Sequence, residues 1–186
     1  MDDGLSFEPA SVRAEEIRED SAYGGVRIQI MAKLGPAEVP VRIDVGVGDA
    51  VTPAPETASF PALLDFPAPQ VRTYPVYAVV AEKFEAMTKL GSVNTRMKDF
   101  HDVWFLMRRF QLDGATLRQA IEATFARRKT SLPKWPEPLD DALANDPTKQ
   151  TQWVAFIRRN GLAGLPGRFA DVIVAIRNQL GGVLRG

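Results

Sequence analysis

The hydrophobic period of this chain changes near residue 76, and the change limits the folds that the chain can adopt. Before it, apolar and polar residues alternate, as they do in strands that bury one face. After it, apolar residues recur three and four positions apart, as they do along one side of an amphipathic helix. Strands followed by helices predict an α+β fold, with a sheet near the N-terminus and a helical bundle after it.

Two alternating segments flank a turn at Gly35-Pro36 and predict a pair of antiparallel strands. Their apolar faces consist of Val26, Ile28, Ile30, Ala32 and Leu34 in the first segment and of Val39, Val41, Ile43, Val45 and Val47 in the second. Residues 6–17 predict a further strand, although Pro9 interrupts it. Residues 48–75 are rich in proline, which predicts an ordered, extended segment that wraps over the sheet.

The helical period predicts five helices: one from Val76 to a stop at Gly91, one that carries Phe100 to Phe110, one capped by Asp113, and two near residues 148–160 and 166–180. Residues 130–147 are interrupted by four prolines and are expected to form a loop. We expect residues 1–75 to be the strand-rich part and residues 76–186 the helical part of one compact unit.

Composition excludes several classes of function. The 186 residues contain no cysteine and a single histidine, His101, so thiol chemistry and a multi-histidine metal site within one chain are excluded. The formal net charge is zero, which disfavours a wholly basic nucleic-acid binder but allows a local basic patch. No apolar run is long enough for a membrane span, and the acidic start lacks the features of a signal peptide. We therefore expect a cytoplasmic protein with no membrane partner.

Asp44 is the first candidate for a functional residue. It lies on the polar face of a predicted strand between Ile43 and Val45, and a carboxylate on such a rigid element suits a metal or phosphate ligand. The alternative is a surface aspartate that pairs with Arg42 or with a neighbouring strand.

Lys83 is the second candidate, because it lies at the edge of the apolar stripe of the first helix, beside Glu82 and Glu85. From that position its ammonium group could reach a phosphate as a point charge. The alternative is a lysine whose stem covers a core helix while its charge remains in water.

The third candidate is the charged start of the second helix, where Arg96, Lys98, Asp99 and Asp102 lie within seven residues. A helix N-terminus and adjacent cations favour anions. The alternative is a first turn with acidic residues that suit the helix dipole and form local ion pairs. His101 is expected to be a packed or surface residue, and Arg127-Arg128-Lys129 first of all a helix terminus, with an RNA-facing patch as the second interpretation.

Three strings of the sequence, in this order and spacing, resemble the AbiEii/AbiGii nucleotidyltransferase-like toxin family. They are Val41-Arg-Ile-Asp-Val-Gly-Val-Gly-Asp49, Tyr74-Pro75 with Val80-Ala-Glu-Lys-Phe-Glu-Ala-Met87, and Asn94-Thr-Arg-Met-Lys-Asp-Phe-His-Asp-Val-Trp104. The resemblance extends over residues 5 to 130 and into the helical tail. It implies a sheet similar to that of polymerase-β-type nucleotidyltransferases, and a toxin of an abortive-infection or toxin–antitoxin system.

The resemblance also implies roles for single residues. Asp44 would match the family's later sheet aspartate, a catalytic ligand of Mg²⁺, and Lys83 would match a lysine that contacts the triphosphate. Lys83, Arg96 and Lys98 would bind the phosphates of a nucleoside triphosphate, and Asp99 and Asp102 would line the same cleft as catalytic acids. The acceptor would be an RNA such as tRNA, and a cognate antitoxin is an implied partner.

Two features depart from the family pattern. The family carries a Gly-Gly or Gly-Ser turn followed by an Asp-x-Asp pair, which supplies two further metal carboxylates, and no Asp-x-Asp occurs in this sequence. Many members also have a glutamate where this chain has Tyr77. The expectation is a member that lacks the N-terminal catalytic segment, through a shortened gene, a misassigned start codon or expression of a fragment.

Such a chain is expected to be inactive alone, because one carboxylate does not hold a pair of metal ions. One alternative is a non-catalytic module that keeps the cleft for a nucleotide, an RNA or a partner. Another is an interaction protein whose exposed sheet edge pairs with a second chain, for example in a homo-oligomer.

Overall fold

A computed structural model describes residues 3–18 and 24–185 of the chain. Its contacts divide the chain into two compact units, Met1–Asp49 and Ala50–Gly186, so the proline-rich segment belongs with the helices. Strands precede helices as the hydrophobic period predicts, which confirms the α+β fold. The expected packing of residues 1–75 and 76–186 into one unit stays a prediction.

The first unit is an antiparallel sheet of three strands in the order β1-β2-β3, namely β1 Leu5–Arg18, β2 Gly24–Leu34 and β3 Ala37–Gly46. The predicted turn at Gly35-Pro36 joins β2 to β3, and Leu34 pairs with Ala37 across it. Gly35 has a φ of 56°, a value that suits glycine in such a tight turn. The two strands and their turn are therefore confirmed.

The predicted third strand is also confirmed, and the structure shows how β1 accommodates Pro9. The register against β2 shifts between Glu8 and Arg13, so that a bulge carries the proline. Within the bulge the Ser11 hydroxyl accepts a hydrogen bond from the Met31 amide at 2.8 Å and donates one to the Glu8 carbonyl at 2.7 Å. This side chain replaces a ladder partner that the bulge removes.

The apolar face of the sheet is more exposed than the alternating pattern predicts. Ala32 is buried among the residues that the structure describes in this unit, but Leu34 and Ile43 are each 49% exposed. Within residues 3–18 and 24–49, the three strands form a single layer, so no second layer of these residues covers the face.

The proline-rich stretch contains a short hairpin that was not predicted, with β4 Glu56–Ser59 paired to β5 Gln70–Thr73. The loop between these strands exposes its large apolar side chains, namely Phe60, Leu63, Leu64 and Phe66. The predicted wrap over the sheet stays a prediction.

The five predicted helices are confirmed as α1 Val76–Leu90, α2 Met97–Arg109, α3 Gly114–Arg127, α5 Pro147–Asn160 and α6 Phe169–Arg185. A 3₁₀ turn, Gly91–Val93, follows α1. Asp113 caps α3 as predicted, since its carboxylate accepts the Thr116 amide at 2.8 Å. Phe110 ends α2 instead of extending it, and it is exposed.

The loop predicted over residues 130–147 is wrong in part. It contains a 3₁₀ turn, Glu137–Leu139, and the short helix α4, Asp141–Ala144. Proline does not prevent these turns, because Pro138 lies at the start of the first one, where a helix needs no amide donor.

The core of the second unit is formed by α1, α2, α3 and α6 around aromatic side chains. Phe84 of α1 packs on Phe125 of α3 at 5.8 Å, and Phe100 of α2 meets Phe169 of α6 edge-on at 5.1 Å between ring centroids. Trp153 of α5 closes this core, and its indole donates to the Pro166 carbonyl at 2.8 Å. The helices thereby hold fixed positions around the start of α2.

A buried ion pair links α1 to the end of α3. Glu85 is 2% exposed, and its carboxylate accepts from Arg128 at 3.0 Å and from the Thr130 hydroxyl. Arg128 also lies 3.3 Å from the carboxylate of Glu82. A buried charge of this kind is costly without its partner, so Arg128 has a structural role.

We predict that Arg128→Ala lowers the free energy of unfolding by about 3 kcal/mol, because it leaves the Glu85 carboxylate buried and uncompensated. Denaturant titration of the wild type and the variant measures the difference. Lys134→Ala, which removes a cation from an exposed loop position, is the matched control and should change stability little. Equal losses from both substitutions would contradict the structural role.

Candidate functional site

The first turn of α2 is held in place by Asn94, which is 1% exposed. Its side-chain oxygen accepts the Arg96 amide at 2.8 Å, and its carbonyl accepts from the buried Lys149 of α5 at 2.6 Å. The segment before α2 is therefore tied both to its own helix and to α5. This arrangement directs the charged residues of α2 toward α1.

Lys83 of α1 lies between two carboxylates of α2. Its ammonium nitrogen is 3.1 Å from Oδ1 of Asp99 and 2.8 Å from Oδ2 of Asp102. Asp99 is 3% exposed, and a carboxylate at that depth needs a cationic partner. The structure thus brings together three of the residues that the sequence singled out.

The remaining predicted cations surround the same two carboxylates. Arg96 places Nε 3.0 Å from Oδ2 of Asp99, and Lys98 places Nζ 2.5 Å from Oδ2 of Asp102. Both side chains remain mostly exposed, at 62% and 71%. The side chains that form these local ion pairs are therefore the same ones that the anion-site interpretation invokes.

His101 adds a third partner to Asp102, since its Nδ1 is 2.9 Å from Oδ1. Its ring stacks on Phe105 at 6.0 Å and contacts Phe156 of α5 at 5.7 Å between centroids. The histidine is thus packed between aromatic rings while it hydrogen-bonds the carboxylate.

Burial alone would raise the pKa of Asp102, but hydrogen bonds from Lys83, Lys98 and His101 outweigh it and lower the pKa to about 2. Burial would likewise lower the pKa of Lys83, yet the hydrogen bonds and charges of Asp102 and Asp99 outweigh it and raise that pKa above its ordinary value. Both groups are therefore charged at neutral pH.

A cleft of about 620 Å³ opens between the start of α2 and the end of α5. Lys83, Arg96 and Lys98 line it from one side, and Gln152 and Arg159 line it from α5. Arg159 has no carboxylate partner among the described residues, and Oε1 of Gln152 has no hydrogen-bond donor there. The cleft therefore presents cationic side chains to a ligand.

Sequence reasoning missed Arg159 and Gln152 as residues of this cleft. An arginine at the end of a helix suits the helix dipole without any ligand, so its position in the sequence carried no signal. The packing of α5 against α2 brings both residues to the site.

Asp44 belongs to the first unit, where both of its oxygens face Arg27 of the neighbouring strand. The distances are 2.7 Å from Nε to Oδ1 and 2.9 Å from Nη2 to Oδ2. The hydrogen bond from Arg27 is the main cause that lowers the pKa of Asp44 below its usual range. Asp44 thus pairs with a neighbouring strand, as the second interpretation of this residue expects. The shared cleft of Asp44 and Lys83 that the resemblance implies stays a prediction.

The part of the chain that the structure describes does not gather the ligands of a Mg²⁺ site. No group of three acidic or histidine side chains suited to a metal ion occurs within residues 3–18 and 24–185. A metal at Asp44 would compete with the bidentate Arg27 for the same two oxygens. The expected metal role of Asp44 stays a prediction, and no chemical step is assigned to the ion.

Two other positions have structural partners. Tyr77, which stands where the resembled family often has a glutamate, accepts the Asp113 amide with its hydroxyl at 3.1 Å and so links α1 to the start of α3. Arg128 points toward Glu82 and Glu85, which accounts for the middle residue of the basic triplet at the end of α3.

We predict that ionised Asp102 contributes about 2 kcal/mol to the free energy of unfolding at neutral pH, since its pKa is about 2 against an ordinary value of 3.8. A lowered pKa gives stability that is complete above the ordinary value and is lost as the pH falls through the folded value. Unfolding titrations from about pH 5 to about pH 2 should therefore show a steeper loss in the wild type than in Asp102→Asn. Asp65→Asn, in an exposed loop, should follow the wild type; parallel curves for the wild type and Asp102→Asn would refute the assignment.

Comparison with known proteins identifies the family to which the chain belongs. None of the described helices is long and apolar enough to cross a membrane. No curated protein matches the chain. A family model described as nucleotidyl transferase AbiEii toxin, Type IV TA system, matches residues 2–173, a range that includes both the sheet and the cleft. Since that range is most of the 186 residues, the chain belongs to the AbiEii family of nucleotidyl transferase toxins.

Proposed function

We propose that the cleft beside Lys83 binds the phosphates of a nucleoside triphosphate, and that the chain serves nucleotidyl transfer to an RNA such as tRNA. The observation that carries this proposal is the convergence of four cations, Lys83, Arg96, Lys98 and Arg159, on one cleft. Membership of a nucleotidyl transferase family supports the choice of ligand.

The balance of charge in the cleft favours an anion. Asp99 and Asp102 offset two of the four positive charges, and two remain. The positive end of the α2 dipole lies at the same place, because α2 begins at Met97. An extended polyphosphate has the charge and the acceptor oxygens that such a site recognises.

Lys83 has a limited but defined role in this proposal. An ammonium group has three hydrogen-bond donors, and Asp99 and Asp102 accept two of them. One donor remains for a phosphate oxygen. The two carboxylates also fix the position of the ammonium, so that little side-chain entropy is lost when a ligand binds.

The side chains proposed to bind phosphate are more numerous than those expected to bind a catalytic metal ion. The sequence contains no Asp-x-Asp, and the one sheet carboxylate expected to bind Mg²⁺ pairs with Arg27. This observation favours a second candidate function, a module that binds nucleotide, RNA or a partner without transfer by this chain alone. A cognate antitoxin is the expected genetic partner of a toxin of a Type IV system.

Nucleotide binding by the cleft should depend on Arg159 but not on the residue before it. We predict that GTP, CTP or ATP binds in the millimolar range, about −4 kcal/mol, because no metal offsets the triphosphate charge. Arg159→Ala should weaken binding about fivefold, the effect of losing one exposed ion pair. Titration followed by NMR chemical shifts measures the dissociation constant.

Arg158→Ala is the matched control for that titration, since it removes the same charge from the same turn of α5 but does not line the cleft. Its dissociation constant should equal that of the wild type. Equal weakening by both variants would assign the effect to net charge alone and would argue against the cleft.

A separate prediction concerns catalysis. The purified chain should not incorporate label from any nucleoside triphosphate into tRNA with Mg²⁺ or Mn²⁺, because its sequence contains no Asp-x-Asp to supply the two further metal carboxylates that the resemblance implies. Gel analysis of labelled tRNA provides the measurement. Metal-dependent labelling that disappears in Asp44→Ala would show that another acid completes the site, and it would favour the enzyme over the binding module.

A further inference from the structure

The polar face of the three-stranded sheet carries a row of residues that the proposed nucleotide site does not use. Arg13 of β1 pairs in register with Gln29 of β2, and Gln29 pairs with Arg42 of β3. Residues at paired positions point to the same face, so two arginines flank one glutamine. Their α-carbons are separated by two strand spacings, about 10 Å.

This row differs from the adjacent row on the same face. There Arg27 lies between Asp44 and Glu15, its registered neighbours, and its charge is compensated by the bidentate Asp44 and by Glu15 at 3.9 Å. Arg13 and Arg42 have no carboxylate within ion-pair distance among the described residues, and both are exposed. Two of the three arginines on this part of the face therefore remain available to an external anion.

The same two arginines line a cavity of about 470 Å³ whose other walls are partly apolar. Ser11 in the β1 bulge, Met31 and Pro40 contribute to it. Hydrogen bonds of Ser11 with Met31 and Glu8 hold the bulge in place, so this wall of the cavity has a defined position. It thus combines guanidinium groups, an amide and apolar surface.

We propose that the row Arg13–Gln29–Arg42 binds the phosphodiester backbone of a single-stranded RNA segment. Guanidinium groups bind phosphate oxygens through two parallel N–H donors, and two such groups on either side of Gln29 suit a chain that runs across the strands. The Gln29 amide can hydrogen-bond a base or a 2′-hydroxyl, and Met31 and Pro40 can contact a ribose or a base. The site deepens the proposed function, on which the choice of RNA rests, by naming where an acceptor is held.

The test uses the whole chain and a fluorescein-labelled single-stranded RNA 12-mer of mixed sequence, without nucleotide or divalent metal. Anisotropy titrations at several salt concentrations give the affinity and its salt slope. Arg13→Ala/Arg42→Ala should weaken binding on the order of tenfold at low salt and reduce the slope by about 1.4, since two phosphate contacts with a single strand are lost. Arg13→Lys/Arg42→Lys should keep the slope, with intermediate affinity.

Lys33→Ala is the matched control, because Lys33 lies on the same face of β2 but already pairs with Glu8 at 2.5 Å. It should leave affinity and slope unchanged. Circular dichroism and thermal unfolding check that the double variant remains folded. Wild-type affinity and slope in a folded double variant would overturn the proposal.

Two further arms separate the ligand from other anions and from the nucleotide site. Inorganic phosphate, added at a concentration equal to that of the RNA nucleotides, should not displace the RNA. Displacement would mean that the site binds free phosphate and not a phosphodiester backbone. Arg159→Ala should leave RNA binding unchanged, so nucleotide binding and RNA binding can fail independently. If Arg159→Ala loses RNA binding while Arg13→Ala/Arg42→Ala keeps it, the RNA binds at the cleft and the sheet site is refuted.

Discussion

The contact between Lys83 and the two carboxylates of α2 determines most of the candidate nucleotide site. Asp99 is buried, and a buried carboxylate is unstable without a cation, so α1 must present Lys83 at that point. The same ammonium reaches Asp102, which then collects Lys98 and His101. These ion pairs thereby link α1 to α2 and leave Arg96 and Lys98 exposed beside the cleft.

Charge pairing also separates structural arginines from those available to ligands. Arg128 and Arg27 each face two carboxylates, and both hold elements together. Arg159, Arg13 and Arg42 have no carboxylate at ion-pair distance among the residues described. This difference leads to the two phosphate-binding proposals, one in each unit, and it depends on geometry that net charge does not reveal.

Family membership gives these sites a common chemical theme. The matched family is one of nucleotidyl transferase toxins, and the two ligands proposed above, a nucleoside triphosphate and an RNA, both carry phosphate groups. The sequence has no Asp-x-Asp pair to supply metal carboxylates, and Asp44 pairs with Arg27. Both proposals therefore assign phosphate binding to cationic side chains and not to a metal ion.

Local sequence determined the secondary structure well, because hydrophobic period, caps and turns are encoded within a few neighbouring residues. The β2–β3 turn, the Asp113 cap and the five longer helices follow from such signals. The hairpin β4–β5 and the turns after Pro136 do not follow from such signals. Their local preferences are weak in a proline-rich sequence, and tertiary packing completes these elements.

The sequence by itself also indicated a candidate group, because its members lie on the first long helix and at the start of the next one, in strings that resemble the family: Lys83, Arg96, Lys98, Asp99 and Asp102. Only the tertiary structure decided that Lys83 is shared by two carboxylates, that Arg27 pairs with Asp44, and that Arg159 joins the cleft. The physical reason is that an ion-pair partner is chosen by strand register and helix packing. Both depend on contacts between residues that are distant in the sequence, such as Lys83 with Asp99 and Asn94 with Lys149.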